Sequence, residues 1–181
     1  MKKVAVFGNA GGGKSTLSKR LAEMTGLPLY VLDKIKYQPG GAEVSPEDYQ
    51  RLHHDIVTTD RWIIDGFGSI ETIWLRLEQA DSLIFVDLPI QMHLWWVTKR
   101  LITGFFKPPE GWPDGSPILK GSLNSYRALW LCHKYLTPKY REYIEQAQKT
   151  KRVYHLRSKA QITQFFTLLE KKAKVEEGIQ L

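Results

Sequence analysis

Short runs of apolar residues alternate along this chain with longer segments in which apolar residues recur at helical spacing. The apolar runs predict five β-strands, at 3–7, 28–32, 62–65, 83–87 and 152–156. Helical periodicity predicts helices at 15–24, from Ser45 onward, and at 69–79, 93–102 and 160–172. Apolar strands that alternate with helices are typical of a parallel sheet covered on both faces. We therefore expect a three-layer α/β/α fold with a five-stranded parallel sheet.

A glycine-rich segment joins the first predicted strand to the first predicted helix. Residues 8–15 have the sequence Gly-Asn-Ala-Gly-Gly-Gly-Lys-Ser, which fits the P-loop pattern G-x-x-x-x-G-K-[ST] at each fixed position. Glycines allow several backbone N–H groups to point inward, so the loop and the helix N-terminus form a site for a polyphosphate. We expect Lys14 to neutralise the β- and γ-phosphates and the Ser15 hydroxyl to reach Mg²⁺.

Three of the other predicted strands end in aspartate, at Asp33, Asp65 and Asp87. The carboxyl ends of parallel strands meet at one edge of a sheet, which is where ligands bind in such folds. Asp33 is a candidate to anchor an acceptor or remove its proton, with capping of a strand end as the alternative. Asp65 and Asp87 compete as the carboxylate of a magnesium site, because Mg²⁺ prefers oxygen ligands.

Residues 104–121 differ from the rest of the chain because they contain four prolines and four glycines. This composition predicts that no regular element crosses the segment. Long connections without regular structure are often lids or binding loops. We predict a lid-like insert at 104–122, and the alternative is a surface loop without such a function.

Composition restricts the class of protein. A length of 181 residues predicts a single domain. The single cysteine, Cys132, excludes an intramolecular disulfide and a cysteine-cluster metal site. The five histidines lack metal-ligand spacing and are expected in surface or satisfied polar positions. No apolar run reaches the length of a membrane span, and the first strand begins too near Met1 for a signal peptide, so we expect a cytoplasmic protein without a membrane partner.

The net charge of +7 favours anionic partners, among them nucleotides, nucleic acid and acidic lipid headgroups. Lysine and arginine are spread along the sequence and form no dense block. Phosphate chemistry alone accounts for many of them, so a nucleic-acid partner is kept as an alternative.

The P-loop, the strand that ends in Asp65-Gly66-Phe67 and the lid-like insert resemble the nucleoside-monophosphate kinases of the adenylate kinase group. The chain is more specifically similar to the adenylate-kinase-like proteins often labelled DNA topology modulation proteins. Further segments that carry this likeness are 32–33, 39–40, 61–66, 83–89, 99–101 and 156–158. The resemblance covers nearly the whole chain. It implies one P-loop kinase-like domain at 1–181, with an acceptor-binding region at 33–60 and a lid at 104–122.

The resemblance also implies which residues hold Mg·ATP. The donor phosphates would lie on Gly8, Asn9, Ala10, Gly11, Gly12, Gly13, Lys14, Ser15 and Thr16. Asp65 would organise the Mg²⁺ shell, usually through water, near Ser15. Arg100, at the base of the lid, would pack on adenine or contact the donor phosphates, and Arg157 lies where the family touches the adenine ring.

Transfer itself would involve residues on both sides of the lid. The resemblance places Arg127 and Arg141, beyond the insert, where they would close on the transferred phosphoryl group. Asp33 and residues 34–37 lie where the family holds its acceptor.

The acceptor site departs from that of true adenylate kinases. Their Asp-Gly-Phe is followed by Pro-Arg, and this arginine grips the acceptor phosphate, whereas this chain continues with Gly68-Ser69. The usual Thr-Gly-Asp stretch after the second strand is also absent. With two anchors for a nucleoside monophosphate missing, Asp33 indicates a hydroxyl or amine acceptor.

These features predict an ATP- and Mg²⁺-dependent kinase that acts on a small molecule. Two alternatives are an ATP-binding regulatory protein that acts on DNA and an NTPase stimulated by a partner. The sequence leaves open the identity of the acceptor, the choice between ATP and GTP, and the oligomeric state.

Overall fold

The computed structural model describes residues 1–38, 42–104 and 118–178. Five parallel strands form one sheet: β1 (Lys3–Gly8), β2 (Leu29–Val31), β3 (Trp62–Asp65), β4 (Ser82–Val86) and β5 (Arg152–Leu156). Their order across the sheet is β2-β3-β1-β4-β5. The predicted fold, a three-layer α/β/α arrangement on a five-stranded parallel sheet, is confirmed.

The described part of the chain also contains eight α-helices. They are α1 (Lys14–Thr25), α2 (Leu32–Lys36), α3 (Pro46–Thr58), α4 (Ile70–Gln79), α5 (Ile90–Gly104), α6 (Ile118–Leu131), α7 (Thr137–Ala147) and α8 (Lys159–Gly178). The five helices expected from periodicity correspond to α1, α3, α4, α5 and α8. Local capping explains where α3 begins, since the Ser45 hydroxyl accepts a hydrogen bond from the Asp48 N–H and Pro46 occupies the first turn.

The sheet is buried between two apolar layers. Val4 and Val6 of β1 share a core with apolar residues of α1 and α8, whereas Ala5 and Phe7 share a second core with residues of α3, α4 and α7. Because successive side chains of a strand point to opposite faces, both kinds of position must be apolar here. This is why the strands appear in the sequence as continuous apolar runs.

Strand register brings the candidate chemistry to the carboxyl edge of the sheet. Asp65 pairs with Val6 of β1, and Gly8 pairs with Val86, the residue before Asp87. The connection that leaves β1 leads to β2, whereas the connection that leaves the neighbouring strand β3 leads in the opposite direction to β4. This reversal makes the carboxyl ends of β1 and β3 a crevice of the kind where ligands bind in α/β sheets.

Some predicted strand ends differ from the structure by one residue: β1 extends to Gly8, and β4 ends at Val86, so that Asp87 follows the strand. Strand β2 was expected to run to Leu32 and stop at Asp33, but it ends at Val31 and α2 begins at once. Asp33 therefore lies in the first turn of a short helix, where a carboxylate is favoured by the helix dipole.

A long helical stretch after the insert was not predicted. Helices α6 and α7 are joined by a π-helical turn, Cys132–Leu136, with helical backbone angles at both of its ends. Pro138 lies in the first turn of α7 and has no N–H to donate to the preceding turn. The wider π turn accommodates this missing hydrogen bond within a continuous helix.

The predicted lid at 104–122 lies mostly outside the described residues, which omit 105–117. At its carboxyl end the expectation of no regular structure does not hold, because α6 already begins at Ile118. The turn at 39–40 likewise lies outside the described residues.

Among the helices described here, none combines the length and the apolar character that crossing a bilayer requires.

Candidate active site

The backbone of the P-loop takes conformations that favour glycine. Gly8, Gly11 and Gly13 have φ angles of 133°, 66° and 73°, which residues with a Cβ rarely adopt. At Gly8 a Cβ would also lie 2.2 Å from the Val86 carbonyl oxygen. Gly13 caps α1, whose first turn contains no acidic residue. The first N–H groups of α1 are thus left to bind an anion without competition from a local carboxylate.

Two helices from distant parts of the sequence hold this loop. Asn9 Nδ2 donates to the Leu129 carbonyl of α6 at 3.0 Å, and Asn9 Oδ1 accepts from the Ala10 N–H at 2.8 Å. His93 of α5 is buried, with Nδ1 2.8 Å from the Ala10 carbonyl oxygen. Gly12 leaves room for the ring, since a Cβ there would lie 3.0 Å from His93 Cε1. The conformation of the loop therefore depends on α5 and α6.

Lys14, Ser15 and Asp65 meet at the loop. Lys14 Nζ donates to the Asn9 carbonyl oxygen at 2.7 Å, and Lys14 and Ser15 both lie near enough to the Asp65 carboxylate to influence its pKa. Asp65 is only 1% exposed, and its Oδ1 has no hydrogen-bond partner among the described residues. Burial raises the pKa of Asp65, while Lys14 and Ser15 act to lower it. A buried carboxylate oxygen in this state is stabilised by a cation placed beside it.

Asp33 lies next to this group. A Cβ built on Gly66 would be 3.7 Å from Asp33 Oδ1 and 3.2 Å from Leu32 Cβ, so glycine at this position lets α2 approach the end of β3. The negative charge of Asp33 contributes to the raised pKa of Asp65. The structure thus brings Lys14, Ser15, Asp65 and Asp33 together, as the sequence predicted from strand ends.

A fully buried arginine supports the turn after Asp65. Arg76 of α4 donates through Nη2 to the carbonyl oxygens of Gly66 (2.9 Å) and Phe67 (3.3 Å). Burial lowers the pKa of Arg76 to about 10, so the group is still a cation at neutral pH. Its charge lies near Asp65 and Asp33, which counteract that shift.

Asp87 is engaged by protein side chains. Arg141 of α7 donates Nε to Asp87 Oδ2 (2.8 Å) and Nη2 to Oδ1 (3.0 Å), and His155 Nε2 lies 2.8 Å from Oδ2. Burial alone would raise the pKa of Asp87, but the hydrogen bonds to Arg141 and His155 hold it below its ordinary value. Asp87 therefore serves as an anchor for Arg141, and the geometry favours Asp65 over Asp87 as the carboxylate of a metal site.

The remaining predicted residues are more peripheral. Arg157 follows β5, is exposed, and lies with Nη2 3.2 Å from His155 Nδ1. Arg127 and Thr16 are exposed on α6 and α1. Arg100 belongs to α5, but its side chain lies outside the described part of the structure.

Three functional contacts escaped sequence reasoning: those of His93, Arg76 and His155. The histidines were expected in surface or satisfied polar positions, and His53 departs from this because its ring is buried without a hydrogen-bond partner among the described residues. His93 and His155 are satisfied, as expected, but the sequence did not indicate that His93 contacts the P-loop or that His155 binds Asp87. Their partners lie 83 and 68 residues away, so no local pattern marks them. Within the described residues no group of three or more histidine, cysteine or acidic side chains forms a metal cluster.

The sequence matches no protein-family model and no curated protein. Solved structures nevertheless share the fold. The chain is similar to a shikimate kinase from Acinetobacter baumannii in complex with shikimate, with a TM-score of 0.56 and 16% identity over 100% of this chain and 96% of that one. It is also similar to a shikimate kinase from Bacteroides thetaiotaomicron, with a TM-score of 0.50 and 13% identity over 96% of this chain and 97% of that one. At these identities the likeness establishes the fold, which is that of P-loop kinases.

Proposed function

We propose that this protein is a kinase that transfers the γ-phosphoryl group of Mg·ATP to a small-molecule acceptor. The observation that carries the proposal is the meeting of Lys14, Ser15 and Asp65 at the P-loop, with Asp65 Oδ1 buried and lacking a hydrogen-bond partner among the described residues. A P-loop binds phosphate by itself, and an adjacent carboxylate adds the metal site that phosphoryl transfer needs. The fold shared with two shikimate kinases supports this class of reaction.

The residues at this site fit Mg²⁺. The ion prefers oxygen ligands and keeps several of its waters, and Ser15 and Asp65 offer a hydroxyl and a carboxylate that lie near each other. These two side chains would hold the ion, directly or through water. When bound, Mg²⁺ neutralises negative charge on the β- and γ-phosphate oxygens.

Asp33 is proposed to hold the acceptor and to take its proton. The acceptor oxygen or nitrogen forms a bond to the γ-phosphorus, and the bond from that phosphorus to the β–γ bridging oxygen breaks. ADP leaves with the electron pair, and the proton passes to the Asp33 carboxylate. The region 33–60, which contains α2 and α3, would surround the acceptor. Bound shikimate in one protein of this fold supports a small acceptor here.

Arginines would complete the neutralisation of charge. The Arg141 side chain is about half exposed, and Asp87 uses only its Nε and Nη2. Nη1 is then available to a phosphoryl oxygen. By resemblance, Arg127 would assist Arg141, and Arg100 and Arg157 would contact the nucleotide. We also propose that the chain is related more specifically to the DNA topology modulation proteins. Only the sequence segments given above support this assignment.

Transfer of labelled phosphate from γ-labelled ATP tests the proposal. The protein is incubated with Mg²⁺ and a panel of nucleosides, nucleotides and small hydroxyl- or amine-bearing metabolites. We expect transfer to one acceptor class, and Lys14→Ala should lower the rate about 100-fold or more, because it removes the charge that stabilises the transferring phosphoryl group. If Lys14→Ala transferred phosphate at the wild-type rate, the proposed mechanism would be wrong.

The role of Asp33 is tested by Asp33→Asn in the same assay. Loss of a general base should lower kcat about 100-fold or more while the KM for ATP changes little. Equal losses in kcat and in ATP affinity would assign Asp33 a structural role instead.

A further inference from the structure

The amino-terminal edge of the sheet carries a second charged surface, opposite the P-loop. Two adjoining hollows of about 490 and 540 Å³ lie there and share Lys2 and Asp81. We call this surface the basic edge. Its cationic lining residues are Lys2, Lys3, Arg61, Lys149, Lys151 and Arg152, and Asp60 and Asp81 lie among them. Strand β1 separates it from the P-loop by six residues, or about 20 Å.

The basic edge concentrates the charge of the molecule. Six of its residues are lysine or arginine and two are aspartate, a net charge of +4 out of +7 for the whole chain. These residues come from four separate stretches of sequence that precede β3, β1, β4 and β5. The fold therefore gathers cations that form no block in the sequence.

Part of this charge is structural. Lys3 Nζ donates to the Val57 carbonyl at the end of α3, and Lys151 Nζ donates to the carbonyls of Glu78 and Ala80 at the end of α4. Asp81 accepts the N–H groups of Lys2 and Lys3 and the Ser82 hydroxyl, which hold its pKa below the ordinary value although burial opposes this. Its carboxylate is thus occupied within the protein.

Four exposed cations are left over from these structural contacts. Lys2, Arg61, Lys149 and Arg152 are exposed, and the described residues offer none of them a side-chain hydrogen bond or an ion pair. They lie at the amino-terminal ends of β3 (Arg61), β1 (Lys2) and β5 (Lys149 and Arg152), and the end of β4 between them contributes Asp81. The outer two of these four adjacent strands are about 14 Å apart. One strand of a duplex presents about four phosphates over that distance, since its phosphates are about 3.4 Å apart along the axis.

We infer that the basic edge binds the phosphodiester backbone of a duplex nucleic acid without reading its sequence. The exposed cations suit the negative charge of a phosphodiester backbone, and the lining residues include no aromatic side chain on which an unpaired base would stack. The lining also lacks the large apolar side chains that a lipid surface requires, apart from Met1. The surface lies apart from the proposed nucleotide site, so this inference stands independently of the kinase proposal.

Fluorescence anisotropy of labelled 20-base-pair duplexes tests the inference. The full chain is titrated into DNA duplex, RNA duplex and single-stranded DNA between 50 and 200 mM salt, without nucleotide. Four phosphate contacts predict a slope of log K against log salt of about −3.6 for the duplexes. The variant Lys2→Gln/Arg61→Gln/Lys149→Gln/Arg152→Gln should bind at least about 10-fold more weakly at 50 mM salt, with a flatter slope. Tighter binding of either the DNA duplex or the RNA duplex identifies which nucleic acid this surface prefers.

A matched control changes four exposed lysines elsewhere: Lys139, Lys171, Lys172 and Lys174, each to Gln. It has the same net charge as the test variant and should bind duplexes as the wild type does. Equal loss of duplex affinity in both variants would mean that net charge alone causes the effect, and it would overturn the inference. So would the absence of duplex binding by the wild type, or tighter binding of the single strand. Phosphate transfer should be the same in the wild type and the test variant, which separates this result from the kinase proposal.

Discussion

At the scale of single residues, the least expected group is His53 of α3. Its ring is 1% exposed, and neither ring nitrogen has a hydrogen-bond partner among the described residues. Burial, the nearby Arg76 cation and His54 lower the pKa of His53 to about 4. The ring is therefore neutral at pH 7, and protonating it would place a second cation beside Arg76.

This burial predicts a specific loss of stability in acid. Below pH 6.5 the unfolded chain binds a proton at this histidine, whereas the folded chain does not until about pH 4. The free energy of unfolding should therefore fall as the pH drops from 6.5 to 4, by up to about 1.4 kcal/mol per pH unit from this residue. Urea denaturation of the wild type and of His53→Leu at several pH values measures this contribution.

His53→Leu should be as stable as the wild type at pH 7, or more stable, because it replaces an unsatisfied polar group by an apolar one. It should also lose stability less steeply in acid. His133 is not among the groups that shift the pKa of His53 and supplies the control, since His133→Gln should retain the wild-type slope. Identical slopes in all three proteins would mean that His53 is accessible to protons in the folded state.

At the scale of elements, the P-loop is shaped by helices that do not precede or follow it. Helix α5 supplies His93 to the Ala10 carbonyl, and α6 supplies the Leu129 carbonyl to Asn9. The glycines of the loop allow its conformation, and these two contacts select it. Ordering of the loop before nucleotide arrives lowers the entropic cost of binding.

Removing the donor on α5 should therefore weaken nucleotide binding. His93→Leu leaves the Ala10 carbonyl unpaired, and we expect the Kd for Mg·ATP to rise about 10-fold, equivalent to about 1.4 kcal/mol. His93→Gln keeps an N–H donor and should restore part of the affinity. Calorimetric titration of both variants, with circular dichroism to verify the fold, measures the effect.

His133 is less buried and provides a comparison, since His133→Leu should bind Mg·ATP as the wild type does. Equal affinity of His93→Leu and the wild type would show that the loop keeps its shape without this contact.

Some helices and strands are marked by local sequence patterns, and others are not. Strands β3 and β5 have the predicted ends. Both are short runs rich in apolar residues, and polar residues or glycine flank them. The helical stretch from Ile118 to Ala147 was missed, since it begins within the proline- and glycine-rich segment and contains Pro138. Its continuity depends on a π-helical turn and on packing beside the P-loop, which periodicity does not express.

At the scale of the whole molecule, the parallel topology of the sheet explains why polar and charged residues gather at its carboxyl edge and at its amino-terminal edge. The convergence of Lys14, Ser15, Asp33 and Asp65 was predictable, because parallel strands place their carboxyl ends together. The pairing of Asp87 with Arg141 and the gathering of the basic edge were not, since each joins residues far apart in the sequence. The same sheet thus presents the P-loop at one edge and a cationic surface at the other.

The central claim is that the carboxyl edge of the sheet binds Mg·ATP through Lys14, Ser15 and Asp65. Calorimetric titration of a non-hydrolysable ATP analogue, with and without Mg²⁺, tests it most directly. We expect saturable binding by the wild type that Mg²⁺ strengthens, loss of binding in Lys14→Ala, and binding that no longer responds to Mg²⁺ in Asp65→Asn. Absence of binding by the folded wild type, or binding that neither variant alters, would contradict it.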